Sequence, residues 1–283
     1  MSQSTPVTPI TPVTPMRDFD PRHRNHEAPV PKLQLLVDWA KRALAVQPFY
    51  VLGVDLSHWN EIVDFQALKA AGYVFVILKA TEHTSFVDSK FSVRWPQALD
   101  AGFIVGTYHF LRMNYGGANQ AEHHLRIIDP LLKATDGKII PPASDIETLD
   151  GMSTAARQET IRRFDDKIQG ELAVDALAYS SPALWRQIAE NMTLDCIGWC
   201  AHWTSALAPI WPSGWPVSKR LFWQFGVYPK HSWVAPVPGV SGEVDVNRFF
   251  GTLNDLRTFV GIHDLTDHEK VELLWKAHPG LEA

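Results

Sequence analysis

Cysteine is nearly absent from this sequence: two residues in 283, Cys196 and Cys200. A disulfide scaffold is therefore excluded as the source of stability, and a zinc site would want more Cys or His at tight spacing. On one strand, two cysteines four residues apart share a face but lie too far apart for an easy bridge, so both read as buried thiols. Long apolar runs are missing as well. No stretch approaches the roughly 18 residues that a membrane span requires, so none is expected. Residues 1–30 contain no apolar h-region, so no ordinary secretory signal is expected either. Positive charge is not in excess: 26 Lys and Arg stand against 31 Asp and Glu, a formal net charge of -5. No basic field draws the chain to nucleic acid or to an anionic surface.

What is present begins with a 46% apolar composition, enough for a full core in a chain of this length. Residues 1–30 open on Thr5-Pro6, Thr8-Pro9, Thr11-Pro12 and Thr14-Pro15. Proline removes donors and favours extended chain, so this segment reads as a disordered or tethering arm. Within residues 31–48, Leu33, Leu36, Val37, Ala40 and Leu44 share one face of an expected amphipathic helix. Residues 262–283 form a tail whose Thr266-Asp267-His268-Glu269 has capping-box spacing before another apolar face. Neither short helix folds alone, and each is expected to dock on the main domain or on an assembly partner.

Between them, residues 49–261 alternate short apolar runs with helical patterns. The runs are 50–56, 73–80, 103–110, 139–147, 174–180, 197–204, 220–226 and 243–247. Helical periodicity fills 63–71, 88–101, 118–134, 154–170 and 182–190, whereas the later gaps are rich in Pro and Trp. Strand–helix alternation implies a mostly parallel sheet with right-handed crossovers. Eight runs point to an α/β fold: an irregular β/α (TIM-like) barrel with a depleted helix ring in the last turns. A doubly wound open sheet is the alternative.

The fourth run closes on Asp145-Ile146-Glu147. Two carboxylates two residues apart on a strand share a face, and each raises the other's pKa. The bland alternative is a strand end leaving the core with its acids in water. Other polar residues recur at the ends of the runs: Asp55, Ser57 and His58; Lys79 and Glu82; Tyr108 and His109; Tyr179; His202 and Trp203; Trp223 and Gln224; Asp245 and Asn247. In a β/α barrel these ends form one mouth, where active sites lie. Singly, each has a structural reading. His109 suits a hydrogen-bonded core position, Trp59, Trp203 and Trp223 suit a core as well as a sugar face, and His123-His124 suits a solvent-exposed helix surface.

Taken in order, Gly53-Val54-Asp55-Leu56-Ser57-His58-Trp59-Asn60, Phe75-Val76-Ile77-Leu78-Lys79-Ala80-Thr81-Glu82, Gly106-Thr107-Tyr108-His109-Phe110, Asp145-Ile146-Glu147, Ala178-Tyr179-Ser180-Ser181, Trp223-Gln224-Phe225 and Val244-Asp245-Val246-Asn247-Arg248-Phe249 resemble glycoside hydrolase family 25, the Chalaropsis-type lysozymes, over roughly residues 50–255. The resemblance implies an irregular β/α barrel. It implies a muramidase that cleaves the β-1,4 bond between N-acetylmuramic acid and N-acetylglucosamine in peptidoglycan, with no metal or cofactor. Glu147 matches the general acid, Asp145 its partner, and Asp55 and Asp245 the other two mouth carboxylates. Tyr108, Tyr179, Trp203, Trp223, Gln224, Lys79 and Glu82 are the matching candidates for substrate contact. A wall-cleaving enzyme of this kind suggests a phage lysin, held in the host cytoplasm before lysis or associated with the virion. Two other classes remain: a glycan-binding barrel without catalysis, and a metal-dependent amidase or deacetylase built on His58, His109 and His202.

Overall fold

A computed structural model describes residues 50–190 and 192–263. The expected arm, the helix at 31–48 and most of the tail lie outside these residues. Nine strands form the sheet: β1 (Tyr50–Leu56), β2 (Tyr73–Glu82), β3 (Phe86–Val87), β4 (Ile104–Phe110), β5 (Ile140–Asp145), β6 (Leu177–Ser180), β7 (Ile197–Ala201), β8 (Arg220–Tyr228) and β9 (Val244–Phe250). All but β3 close into a ring in chain order, sealed by β1, which pairs with both β2 and β9. The short β3 is a hairpin partner of β2. The chain is thus a closed eight-stranded mixed barrel with helices, of the α/β class.

Helices α1 (Phe65–Ala70), α2 (Phe91–Asp100), α3 (Gly117–Thr135), α4 (Thr154–Leu172) and α5 (Pro182–Ala189) fill the crossovers as far as β7. Their starts are written locally. The Asp64 side chain accepts from the Gln66 and Ala67 amides, and the Ser153 and Ser181 side chains cap α4 and α5, with Pro182 opening α5. Between β7 and β8 only a 3-10 turn, Val217–Lys219, is formed among the described residues. A helix that the apolar pattern did not separate, α6 (Leu253–Phe259), follows β9 behind a Thr252–Asp255 capping box. Its Leu256 packs with barrel-interior residues, and Phe259 lies 6.0 Å from the rings of both Phe222 and Phe249.

The expectation of parallel strands fails at one place. β9 runs antiparallel to both β8 and β1. No helix carries the chain back after β8, so the connection re-enters at the end it left, and the next strand runs in reverse. Asp245 therefore stands near the start of its strand rather than the end, yet at the same mouth, directly opposite Asp55.

Strand alternation divides the core. Phe75, Ile77, Leu177, Trp199, Phe222 and Phe249 fill the barrel interior, while their sequence neighbours face the helices and loops outside. Gly53 is required here, because a Cβ at this position would lie 2.3 Å from the Phe75 ring. The same parity corrects the placement of Trp223. Gln224 faces the interior, so Trp223 faces outward, where it is fully buried with Phe225 and Val246. Its ring stacks on Phe250 and its indole N–H donates to the His202 carbonyl at 2.8 Å. It cannot meet a sugar.

His123 and His124 are also corrected, since both are buried. Adjacent helical residues diverge. His124 reaches the hydroxyls of Thr81 and Thr107, and His123 bonds the Phe86 carbonyl. Cys196 and Cys200 are free, buried thiols as expected, and burial pushes the Cys200 pKa up to about 12.

Trp223→Ala is expected to cost about 3–5 kcal/mol in urea unfolding, as for a large aromatic in a packed core. A sugar-stacking role would instead raise KM with stability unchanged.

Candidate active site

The barrel mouth holds two adjoining cavities. The smaller, about 280 Å³, is lined by Asp55, Asp145, Glu147 and Asp245 together with Tyr108 and Tyr179. The larger, about 620 Å³, shares Glu147, Tyr179 and Trp203 with it and is otherwise bordered mainly by α5 and the loop after β7. All four carboxylates expected at the mouth thus meet in one place, delivered by β1, β5 with the residues just after it, and β9.

Asp55 is held most tightly. Its Oδ2 accepts from Asn247 Nδ2 at 2.7 Å and from Gln224 Nε2 at 3.0 Å. The orientation of these amides follows from chemistry, because an indole N–H only donates. Trp203 Nε1 and the Tyr179 hydroxyl both donate to Gln224 Oε1 at 2.9 Å, which turns the Gln224 amino group toward Asp55. Trp199 Nε1 donates to Asn247 Oδ1 at 2.8 Å, with the same result for Asn247. Two donors on one oxygen favour an ionised Asp55. Burial raises its pKa to about 6, and the two amide bonds limit the rise.

The other acids lack such support. Burial raises Asp245 to about 8, helped by the charges of Asp55, Glu147 and Glu243, with Lys230 opposing. Asp145 is pushed well up by burial and by Glu147. One of its oxygens, Oδ1, is buried without a hydrogen-bond partner. Glu147 is raised by burial and then by Asp55. The arrangement is therefore one amide-held carboxylate, Asp55, beside three acids whose pKa values burial and neighbouring charge push up.

Lys79 and Glu82 do not line either cavity. Lys79 Nζ lies 2.9 Å from Glu82 Oε2 and 4.8 Å from the Phe110 ring centroid. Glu82 also pairs with Arg112, which is bound in turn by Asp150 at 2.7 Å. The positive charge of Lys79 reaches Asp145 and Glu147 and partly offsets their rise. Trp59 stands on the turn after β1 with 81% of its surface exposed. The histidines of the metal reading do not come together: His58 pairs with Asp88, His109 bonds Thr81 and Gln120, and His202 accepts from the Ile210 amide. Trp199 and Lys230 line the acidic cavity and were missed by the sequence reading; nothing in the sequence singles out Lys230. Strand parity was the available signal for Trp199, two residues before Ala201 on β7.

A family model for glycosyl hydrolases family 25 matches residues 54–230. The chain belongs to glycosyl hydrolase family 25. It is a glycoside hydrolase. The matched span ends before β9, so Asp245 joins the site through the fold rather than through that match. Lysozyme M1 of Streptomyces globisporus is 32% identical over 212 residues, covering 71% of this chain and 68% of that protein. The N,O-diacetylmuramidase of Chalaropsis sp is 29% identical over 188 residues, 62% of this chain and 87% of its own length. Among solved structures, the bacterial lysozyme from Streptomyces coelicolor superposes with a TM-score of 0.64 at 30% identity, covering 75% of this chain and 98% of that one.

The raised acids carry a stability signature. A carboxyl whose folded pKa lies above its unfolded value stabilises fully below the unfolded pKa, and that contribution is lost as pH rises through the folded one. Asp245→Asn is therefore expected to raise Tm by about 2 °C or more at pH 8.5, with the gain shrinking toward pH 4. A gain that grew on acidification would show that Asp245 is ionised in the folded protein.

Proposed function

We propose that this family 25 hydrolase is a peptidoglycan N-acetylmuramidase with Glu147 as its general acid. It would cleave the β-1,4 bond between N-acetylmuramic acid and N-acetylglucosamine. The observation that carries the assignment is the position of Glu147. It is the one carboxyl bordering both cavities, and it is more accessible than Asp145. A proton kept on the Asp145–Glu147 pair by burial and mutual repulsion is then available to a leaving oxygen at Glu147. Asp145, deeper and uncompensated, suits stabilising positive charge at the sugar carbon or orienting the acetamido group. Asp55, ionised and fixed by two amides, adds negative potential beneath the same carbon. Asp245 holds its proton and serves as a donor to the substrate.

Tyr108, Tyr179, Trp203 and Gln224 are the proposed substrate contacts, with Lys79 and Glu82 acting from outside the cavity by charge. The lysozyme and muramidase names of the relatives support the same substrate. The barrel is read as an irregular relative of the eightfold β/α barrel, its helix ring thinned after β7. The enzyme would act on the bacterial cell wall. No helix among the described residues is long and apolar enough to cross a membrane. The Thr-Pro arm and the amphipathic segments at 31–48 and 262–283 suit tethering to a larger assembly. That favours a lysin held in the host cytoplasm until lysis or carried on a virion. Detection of the chain in purified particles is the expected result.

Glu147→Gln should lower kcat on purified peptidoglycan by about 100-fold to 10,000-fold, the usual contribution of a general acid. Mass spectrometry of the products should find new reducing-end muramic acid from the parent protein. Activity should fall as pH drops through about 6, where Asp55 is protonated. Cleavage by Glu147→Gln at the parent's rate would remove the assignment.

A further inference from the structure

We infer that the larger mouth cavity receives the acidic stem peptide of the muramic acid residue and that Arg186 is the cation that binds it. This rests on the muramidase reading. The two cavities meet at Glu147, Tyr179 and Trp203 but differ in chemistry. The smaller one adds Glu243 to its four carboxyl groups and includes a single cation, Lys230, so it offers an anionic substituent no excess of positive charge. The wall of the larger one includes Pro182, Ala183, Leu184 and Ile210. A sugar needs hydroxyl partners, which these four side chains do not supply; beyond the shared residues, Ser181 and His202 are the polar side chains on this wall besides Arg186.

Arg186 is the one Lys or Arg on that wall. Among the described residues its guanidinium has no hydrogen-bonded or ionic partner. By contrast Arg94, Arg112 and Arg157 are each held by carbonyls or carboxylates. An unpaired guanidinium on a wall that also carries Pro182, Ala183, Leu184 and Ile210 suits a carboxylate carried on alanine-like residues. Muramic acid carries such a peptide on its lactyl group. The scissile bond places that sugar at the carboxylates, and the larger cavity is the one that adjoins them.

The test compares two substrates: intact purified peptidoglycan, and the same glycan strands stripped of peptides by an amidase. Reducing-end release gives kcat/KM for the full-length parent, Arg186→Ala, Arg186→Glu and Arg186→Lys. Arg186 is exposed on α5, so the variants should fold, which circular dichroism checks. On intact material, Arg186→Ala should lose about threefold to tenfold, the scale of a partly exposed charge contact. Arg186→Glu should lose more, and Arg186→Lys should stay near the parent. On stripped strands all four should agree. Equal losses on both substrates would make the cavity a sugar subsite and overturn the inference, as would no loss on either. A parent inactive on both would remove the muramidase reading itself.

Discussion

Burial of several carboxylates in one pocket is the constraint around which this barrel is arranged. Ionised together in a low-dielectric site, the four would repel one another strongly. The fold resolves this unequally. Asp55 receives two amide donors, while burial and neighbouring charge push the pKa values of Asp145, Glu147 and Asp245 up. The amides are themselves fixed by Trp199, Trp203 and Tyr179, so aromatic residues with a donating edge set the protonation pattern from one layer further out.

Support for that layer comes from the barrel interior. Phe222 contacts both Phe75 and Phe249 in the barrel interior, with ring centroids 5.7 and 5.1 Å apart. Helix α6 packs against them from the end opposite the mouth. Rings of this size leave little freedom to the inward side chains above, which is how a site built on strands keeps its geometry. The buried Thr81–His109–Gln120 chain belongs to the same scaffold. It ties β2 and β4 to α3, with burial holding the His109 pKa down to about 3 and the imidazole neutral.

The loss of helices after β7 is also functional in its consequences. With no helix across the β7–β8 gap, the loop from His202 to Trp215 borders the larger cavity through His202, Trp203 and Ile210. With none between β8 and β9, the last strand reverses and sets Asp245 against Asp55. A regular parallel barrel would have presented the other end of that strand to the mouth.

Much of this was legible in the chain itself. Short apolar runs located the eight barrel strands, helical periodicity located five crossovers, and the Asp145-Ile146-Glu147 triplet marked the acidic end of one strand. Those are local signals, written in the pleat and in the helical turn. The structure decided what depends on closure: the reversed β9, the outward turn of Trp223, the burial of His123 and His124, and the amides that hold Asp55. Trp203 and Trp223 look alike in sequence, yet one borders the site and the other lies in the outer core, because strand parity and ring closure set where each points. Protonation is of the same kind. Which of four similar carboxylates stays ionised depends on donors from β8 and β9, distant in sequence and adjacent only in the folded barrel.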